Sequence, residues 1–134
     1  KIAAAGLGNH FQLTGLVPPE RLAPLLGAMD LVVHASLREG LARVLPQALI
    51  AAKPVVSYDI DGAREVVIPG ETGFLLPPRD AAAGIARAIA ELAGNAELRK
   101  RLGQTGRERF TERFRHETMT AQLRAIYDRL LNES

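Results

Sequence analysis

Three short apolar runs, LVVHA (31–35), PVVSY (54–58) and FLLP (74–77), alternate with stretches of helical period, and this alternation leaves the chain few ways to fold. The runs are too short for a helix that must bury a face, and they are apolar at consecutive positions instead of every second one, the pattern of strands covered on both sides. FQLTG (11–15) reads as a further strand. Between the strands lie PPERLAPLLGAM (18–29), a helix with prolines at its start, and a second helix over about 43–52. Strands that each lead into a helix must be joined by right-handed crossovers, which make a parallel sheet. The fold class is therefore α/β, with parallel strands flanked by helices.

Pro46 would break a helix interior, but it falls in the first turn after Gly40, where a backbone N–H has no acceptor in the helix in any case. DGAREVVI (61–68) reads as a short helix, GETG (70–73) as a turn, and DAAAGIARAIAEL (80–92) as an Ala-rich helix capped by Asp80. NAELRKRLGQTGRERF and RHETMTAQLRAIYDRLL follow as terminal helices. A length of 134 residues with 47% hydrophobic and 24% charged side chains suits one domain with a real core. No apolar run approaches the roughly 20 residues of a membrane span. The start KIAAAGLGNH lacks the apolar centre of a secretory signal, and without cysteine there is neither a disulfide nor a thiolate zinc site, so a cytoplasmic setting is expected. A net charge of +2 and 4% aromatics argue against nucleic acid as a partner, because no basic patch alternates with stacking rings. Residues 96–134 hold nine Lys and Arg against six Asp and Glu, the composition of a solvated helix surface.

Ligands on such sheets bind beyond the carboxyl ends of the strands. The loop after LVVHA carries Ser36, Arg38, Glu39 and Gly40, and the amides of Gly40, Leu41 and Ala42 open the next helix. Free N–H groups at a helix start suit a phosphate. The spacing also admits an ordinary reading, in which Glu39 complements the helix dipole and Gly40 makes a turn.

The ordered set of motifs TG(LV), MDLVVHASLREGLARVLPQALIAAKPVV, DGAREVV and GETGFLLPP closely resembles the C-terminal, donor-binding half of retaining GT-B glycosyltransferases, the group that contains bacterial mannosyltransferases and sucrose synthase. The resemblance implies a partial Rossmann-like domain, spanning residues 1–134, that binds a nucleotide-diphosphate sugar as donor substrate, with no metal and no other cofactor. It makes the parent a hexosyltransferase-type enzyme acting on an acceptor that the sequence does not define. It assigns Glu39 to hydroxyls of the transferred sugar, as the catalytic position, and the amides of Gly40, Leu41 and Ala42 beside Ser36 to the diphosphate. Gln47 stands where the family has a second Glu for the ribose, and Leu16 and Val17 match backbone positions beside the nucleobase. The chemistry suits the residue types, since a carboxylate can accept from two vicinal hydroxyls and backbone amides can meet the charge that builds on a leaving diphosphate.

Four positions depart from the family pattern. Gln47 keeps one acceptor and gains a donor but loses the ionic pair of acceptors. Ala52 replaces the glycine that commonly ends the helix, so either a non-glycine residue is held at positive φ or the helix ends otherwise. Asp61 and Arg64 replace the first glycine and the proline of a GG-x-P-E turn. The resemblance also places two strands, a glycine-rich turn and an N-terminal acceptor-binding domain ahead of Lys1. With those elements outside this chain, LVVHA, PVVSY and FLLP are expected to form a parallel sheet in that order, with FQLTG detached or unusually paired. The uncovered LVVHA edge is expected to make the isolated chain associate with itself.

Elsewhere Gly6-Leu7-Gly8 reads as a turn ending a helix, because it precedes a strand instead of following one. His34, in a buried-strand pattern at the mouth of the site, reads as a core or supporting histidine, with a catalytic role as the alternative; Arg38 reads as solvated, with a place beside the phosphate loop as the alternative; His10 and His116 read as solvated, and Met29 and Met119 as helix core. Glu65 either caps its own helix start or reaches the loop of Glu39. Two functions remain open: the donor-binding part of a nucleotide-sugar glycosyltransferase, and a non-catalytic α/β module, structural or regulatory, that kept the fold.

Overall fold

The computed structural model describes residues 1–133; the side chains of Asp80 and Ala81 fall outside that description, and with them the cap expected of Asp80. Strands β1 (Val32–His34), β2 (Val55–Tyr58) and β3 (Gly73–Leu76) pair in the order β1-β2-β3, all parallel, as the sequence predicts. The register sets Val32 against Val55, His34 against Ser57, and Val55 against Gly73. Helices α1 (Pro19–Gly27), α2 (Val44–Ile50), α3 (Ala81–Gly94), α4 (Ala96–Phe110) and α5 (His116–Asn132) complete the fold.

Successive side chains of a strand point to opposite faces, so the buried pair Val55 and Val56 of β2 seeds two cores. On one face Val55 joins Leu26 of α1, Val32 of β1, Leu45 and Leu49 of α2, Val66, Val67 and Phe110 of α4. On the other, Val56 joins Ala88 and Leu92 of α3 and Leu102 of α4. Asn95 starts α4 by accepting the Leu98 N–H on its side-chain oxygen at 2.9 Å, the cap that an Asn before a helix predicts.

Helix α2 stops in a Schellman arrangement. The Ala52 N–H donates to the Leu49 carbonyl at 2.8 Å, and the Lys53 N–H to the Ala48 carbonyl at 2.9 Å. Ala52 takes the left-handed conformation, φ 57°, so the first alternative offered by its replacement of glycine is the one realised. The residue is held there because α4 passes directly over it: a Cβ on Gly103 would run into the Ala52 carbonyl oxygen, and one on Gly106 would lie 2.6 Å from Leu49 Cδ2. Two glycines one turn apart on α4 thus let it lie on the end of α2.

Three expectations need correction. FQLTG is not a strand: residues 11–15 form no ladder, Leu13 is 86% exposed, and Gly15 turns the chain at φ 62°. A strand needs a neighbour to take its N–H and C=O groups, and none runs beside this segment among the described residues. The helix expected over 61–68 is a five-residue 3₁₀ helix, Asp61–Glu65, after which Val66 and Val67 are both buried in the core. Met119 is 62% exposed, not core, because α5 buries none of its residues against the domain. Gly6, at φ 69°, does close a short 3₁₀ turn, Ala3–Ala5, as its sequence context predicts. Among the described residues no helix is long and apolar enough to cross a membrane.

Ala52→Gly removes a left-handed alanine, a strain of about 1–2 kcal/mol, but adds freedom to the unfolded chain, about 0.4–1 kcal/mol. The full-length protein should gain about 0.5–1 kcal/mol, read as a higher urea midpoint with unchanged slope. Gly103→Ala should cost at least about 2 kcal/mol of stability, read as a lower midpoint, since its methyl meets backbone and no flexible side chain.

Candidate functional site

Because the strands are parallel, the segments leaving β1 and β2 emerge on the same edge of the sheet, and a backbone bond joins them. The Gly62 N–H donates to the Gly40 carbonyl at 3.0 Å. A Cβ on Gly62 would come within 3.1 Å of both that carbonyl oxygen and Leu41 Cβ. Asp61, just before it, sits at φ 37°, which accounts for a glycine being usual there in the resembled turn. Arg64 forms an ion pair with Asp59, Nη2 to Oδ1 2.9 Å, whose angles fall outside hydrogen-bonding geometry and leave that oxygen without a hydrogen bond.

The loop 35–43 is anchored by its apolar residues: Ala42 is buried, and Leu41 packs against the core beside Leu45. Gly40 is exposed, and among the described residues the N–H groups of Gly40, Leu41 and Ala42 meet no acceptor. The Ser36 hydroxyl donates to the Arg38 carbonyl at 3.3 Å and so shapes the loop from within. Arg38 is exposed.

Glu39 is held from the strand below. Its Oε2 lies 2.9 Å from Nε2 of His34, whose side chain is only 13% exposed against 46% for Glu39. The other ring nitrogen, Nδ1, lies 3.5 Å from the Ser57 hydroxyl, which is fully buried and also donates to the Tyr58 carbonyl at 3.1 Å. His34 is therefore a supporting histidine, the second of the roles its sequence context allowed. Ser57 was not legible as part of the site. Its signal in the sequence was a hydroxyl ending an apolar run, PVVS, at the same strand position as the histidine of LVVH.

The remaining candidates lie apart from this cluster. Gln47 is exposed on α2 and lines a groove with Pro19, Leu22 and Leu26 of α1 and Arg107 of α4. Leu16, 99% exposed, and Val17 line another groove with Thr14, Arg21 and Leu25. They sit in the irregular lead-in to α1 and not, as expected, at the end of a strand. Helix α1 thus has one groove on each side. Glu65 neither caps its turn nor bonds to the loop; it faces Arg113, Arg115 and His116 near the junction of α4 and α5. His10 is exposed, and exposed His116 pairs with Glu117, Nδ1 to Oε2 3.2 Å.

Residues 1–109 match the family described as Glycosyl transferases group 1, and the chain belongs to that family. An uncharacterized glycosyltransferase of Methanocaldococcus jannaschii is 33% identical over 133 residues, covering 98% of this chain and 34% of that protein. Sucrose-phosphate synthase from Thermosynechococcus elongatus superposes with a TM-score of 0.91 at 31% identity, over 99% of this chain and 33% of the other. Anabaena HepE, solved in complex with UDP, superposes with a TM-score of 0.88 at 27% identity, over 95% of this chain and 34% of the other. The fold is thus that of the GT-B glycosyltransferases, and the chain spans about a third of the length of these relatives.

Gly62→Val should pry the two strand-end loops apart, at a cost of about 1–3 kcal/mol. Hydrogen exchange should then show the Gly62 amide opening faster than in the unsubstituted protein, with the amides of β2 protected as before.

Proposed function

We propose that this chain is the donor-binding part of a hexosyltransferase that moves a sugar from a nucleotide diphosphate to an acceptor. The observation that carries the reading is one loop that combines a fixed carboxylate, Glu39, with three unbonded amides at the carboxyl edge of a parallel sheet. Support comes also from Anabaena HepE, whose fold is shared and which binds UDP.

In this reading Glu39 accepts hydrogen bonds from hydroxyls of the transferred sugar, and the amides of Gly40, Leu41 and Ala42 hold the diphosphate, with Ser36 stabilising the loop. As the glycosidic bond breaks, charge grows on the leaving diphosphate, and N–H groups already in place meet it without reorganising. The reaction so described calls on no resident metal or other cofactor. The resemblance assigns Gln47 to the ribose and Leu16 and Val17 to the base; they border separate grooves on the two sides of α1, so in this arrangement a single nucleoside engages only one of the two. The acceptor side of the reaction belongs to the remaining length of the parent protein, so the chain by itself binds the donor without completing transfer. A cytoplasmic setting belongs to the same reading, as does pairing of isolated chains along the free edge of β1.

Glu39→Gln in the full-length protein should lower turnover about 10- to 100-fold, the range for hydrogen bonds to a charged group, with the affinity for free UDP or GDP unchanged because neither carries a sugar. Gln47→Glu should tighten the free nucleotide by about 1 kcal/mol where no phosphate repels the new carboxylate. Calorimetry separates the two: equal losses of nucleotide affinity would reduce both residues to a structural feature of the helix start. Gly40→Asp tests the phosphate loop itself. A Cβ at Gly40 meets nothing within 4 Å, so the variant should fold. It should bind UDP and GDP at least about tenfold more weakly, from like-charge repulsion. If the unsubstituted protein binds neither nucleotide, the non-catalytic module is the correct reading.

A further inference from the structure

We infer that His34 is a positioning residue that fixes the carboxylate plane of Glu39; the inference rests on the sugar-binding role proposed for Glu39. A carboxylate only accepts, so the 2.9 Å contact requires the proton of the pair to sit on Nε2 of His34. That bond occupies one direction at Oε2 and leaves Oε1, with the remaining lone pair of Oε2, for two neighbouring hydroxyls of a sugar.

The arrangement is built into the sheet. His34 closes β1 and Ser57 stands opposite it on β2, so the register of two buried strands sets where the ring lies. The ring is nearly enclosed while Glu39 is half exposed on a loop, and a rigid partner thus disciplines a mobile one. The Ser57 hydroxyl carries a single hydrogen and stands between two acceptors: the Tyr58 carbonyl at 3.1 Å and, with the ring neutral, Nδ1 at 3.5 Å. With the hydrogen on the carbonyl, the hydroxyl oxygen remains to accept from a ring protonated on both nitrogens. In either state Nε2–H points at Glu39. Left to itself, a Glu on an exposed loop samples several rotamers, few of which aim both oxygens correctly, and misplacement of about 1 Å can cost as much as 100-fold in rate.

The test uses the full-length protein, with a donor chosen by wild-type release of nucleotide from UDP-glucose or GDP-mannose. His34→Leu should lower kcat about 10- to 100-fold while the Kd for free UDP or GDP stays within about twofold, which also certifies the fold. His34→Gln, whose amide N–H can reach Glu39, should recover most of the loss. Adding His34→Leu to Glu39→Gln should cost less than about twofold more, since the two act through one contact. Unchanged kcat in His34→Leu, equal loss of free-nucleotide affinity, or independent losses in the double variant overturns the inference. Unchanged turnover in Glu39→Gln instead overturns the sugar role of Glu39. A measurement free of any donor stands beside these: imidazole ¹⁵N resonances must show His34 protonated at Nε2, and a ring protonated only at Nδ1 excludes the contact.

Discussion

β2 is the strand on which the domain hangs. Val55, Val56 and Ser57 are fully buried, and the residues on its two faces belong to different cores, so helices from both sides take their positions from four residues. β1 and β3 are paired to it and not to each other. Everything that leaves the carboxyl edge of the sheet inherits that geometry: the loop that carries Glu39 follows β1, the turn that braces it follows β2, and the bond from Gly62 to Gly40 holds the two together. A Cβ on Gly62 would lie 3.1 Å from both the Gly40 carbonyl oxygen and Leu41 Cβ, so a side chain there requires the two loops to shift.

The order and direction of the three strands were legible because consecutive apolar residues mark strands buried on both faces, and helices between them leave only parallel pairing. The residues 11–15 alternate apolar and polar, the pattern of a strand with one covered face, and misled, because a strand is made by its neighbour as much as by its own residues, and none runs beside it among the described residues. The helix expected over 61–68 stops at Glu65, and Val66 and Val67 follow it as fully buried residues of the core. Met119 has the spacing of a core residue and lies with Leu123, Ile126, Tyr127 and Leu130 on exposed α5, where periodicity announces an apolar stripe without saying what it meets.

The candidate site was legible in part. Glu39, Gly40, Leu41 and Ala42 could be found because their loop follows a strand and opens a helix, a local fact of the sequence. The contact of Glu39 with His34 lies within one short segment, but the place of Ser57 opposite His34, 23 residues away, depends on a register that no short window contains. Leu16, Val17 and Gln47 were named together from the resemblance, yet they border two grooves divided by α1.

Ala52 and Asp61 show how backbone geometry can outlast the residue that suits it. Both have positive φ where glycine is usual. At Ala52 the reason is overhead: α4 lies so close at Gly103 that the carbonyl cannot turn, and the two hydrogen bonds that end α2 would be lost if it did. At Asp61 the reason is beneath: the next residue must present its N–H to Gly40, and Ala63, Val66 and Val67 must enter the core immediately afterwards. Local strain of this kind persists only where surrounding contacts outweigh it. Both positions lie within the segment from Gly40 to Gly62, with Ala52 closing the helix that the loop opens and Asp61 setting the turn that braces it. The strain is thus carried by one turn that ends α2 under α4 and by one that bonds directly to the carboxylate loop.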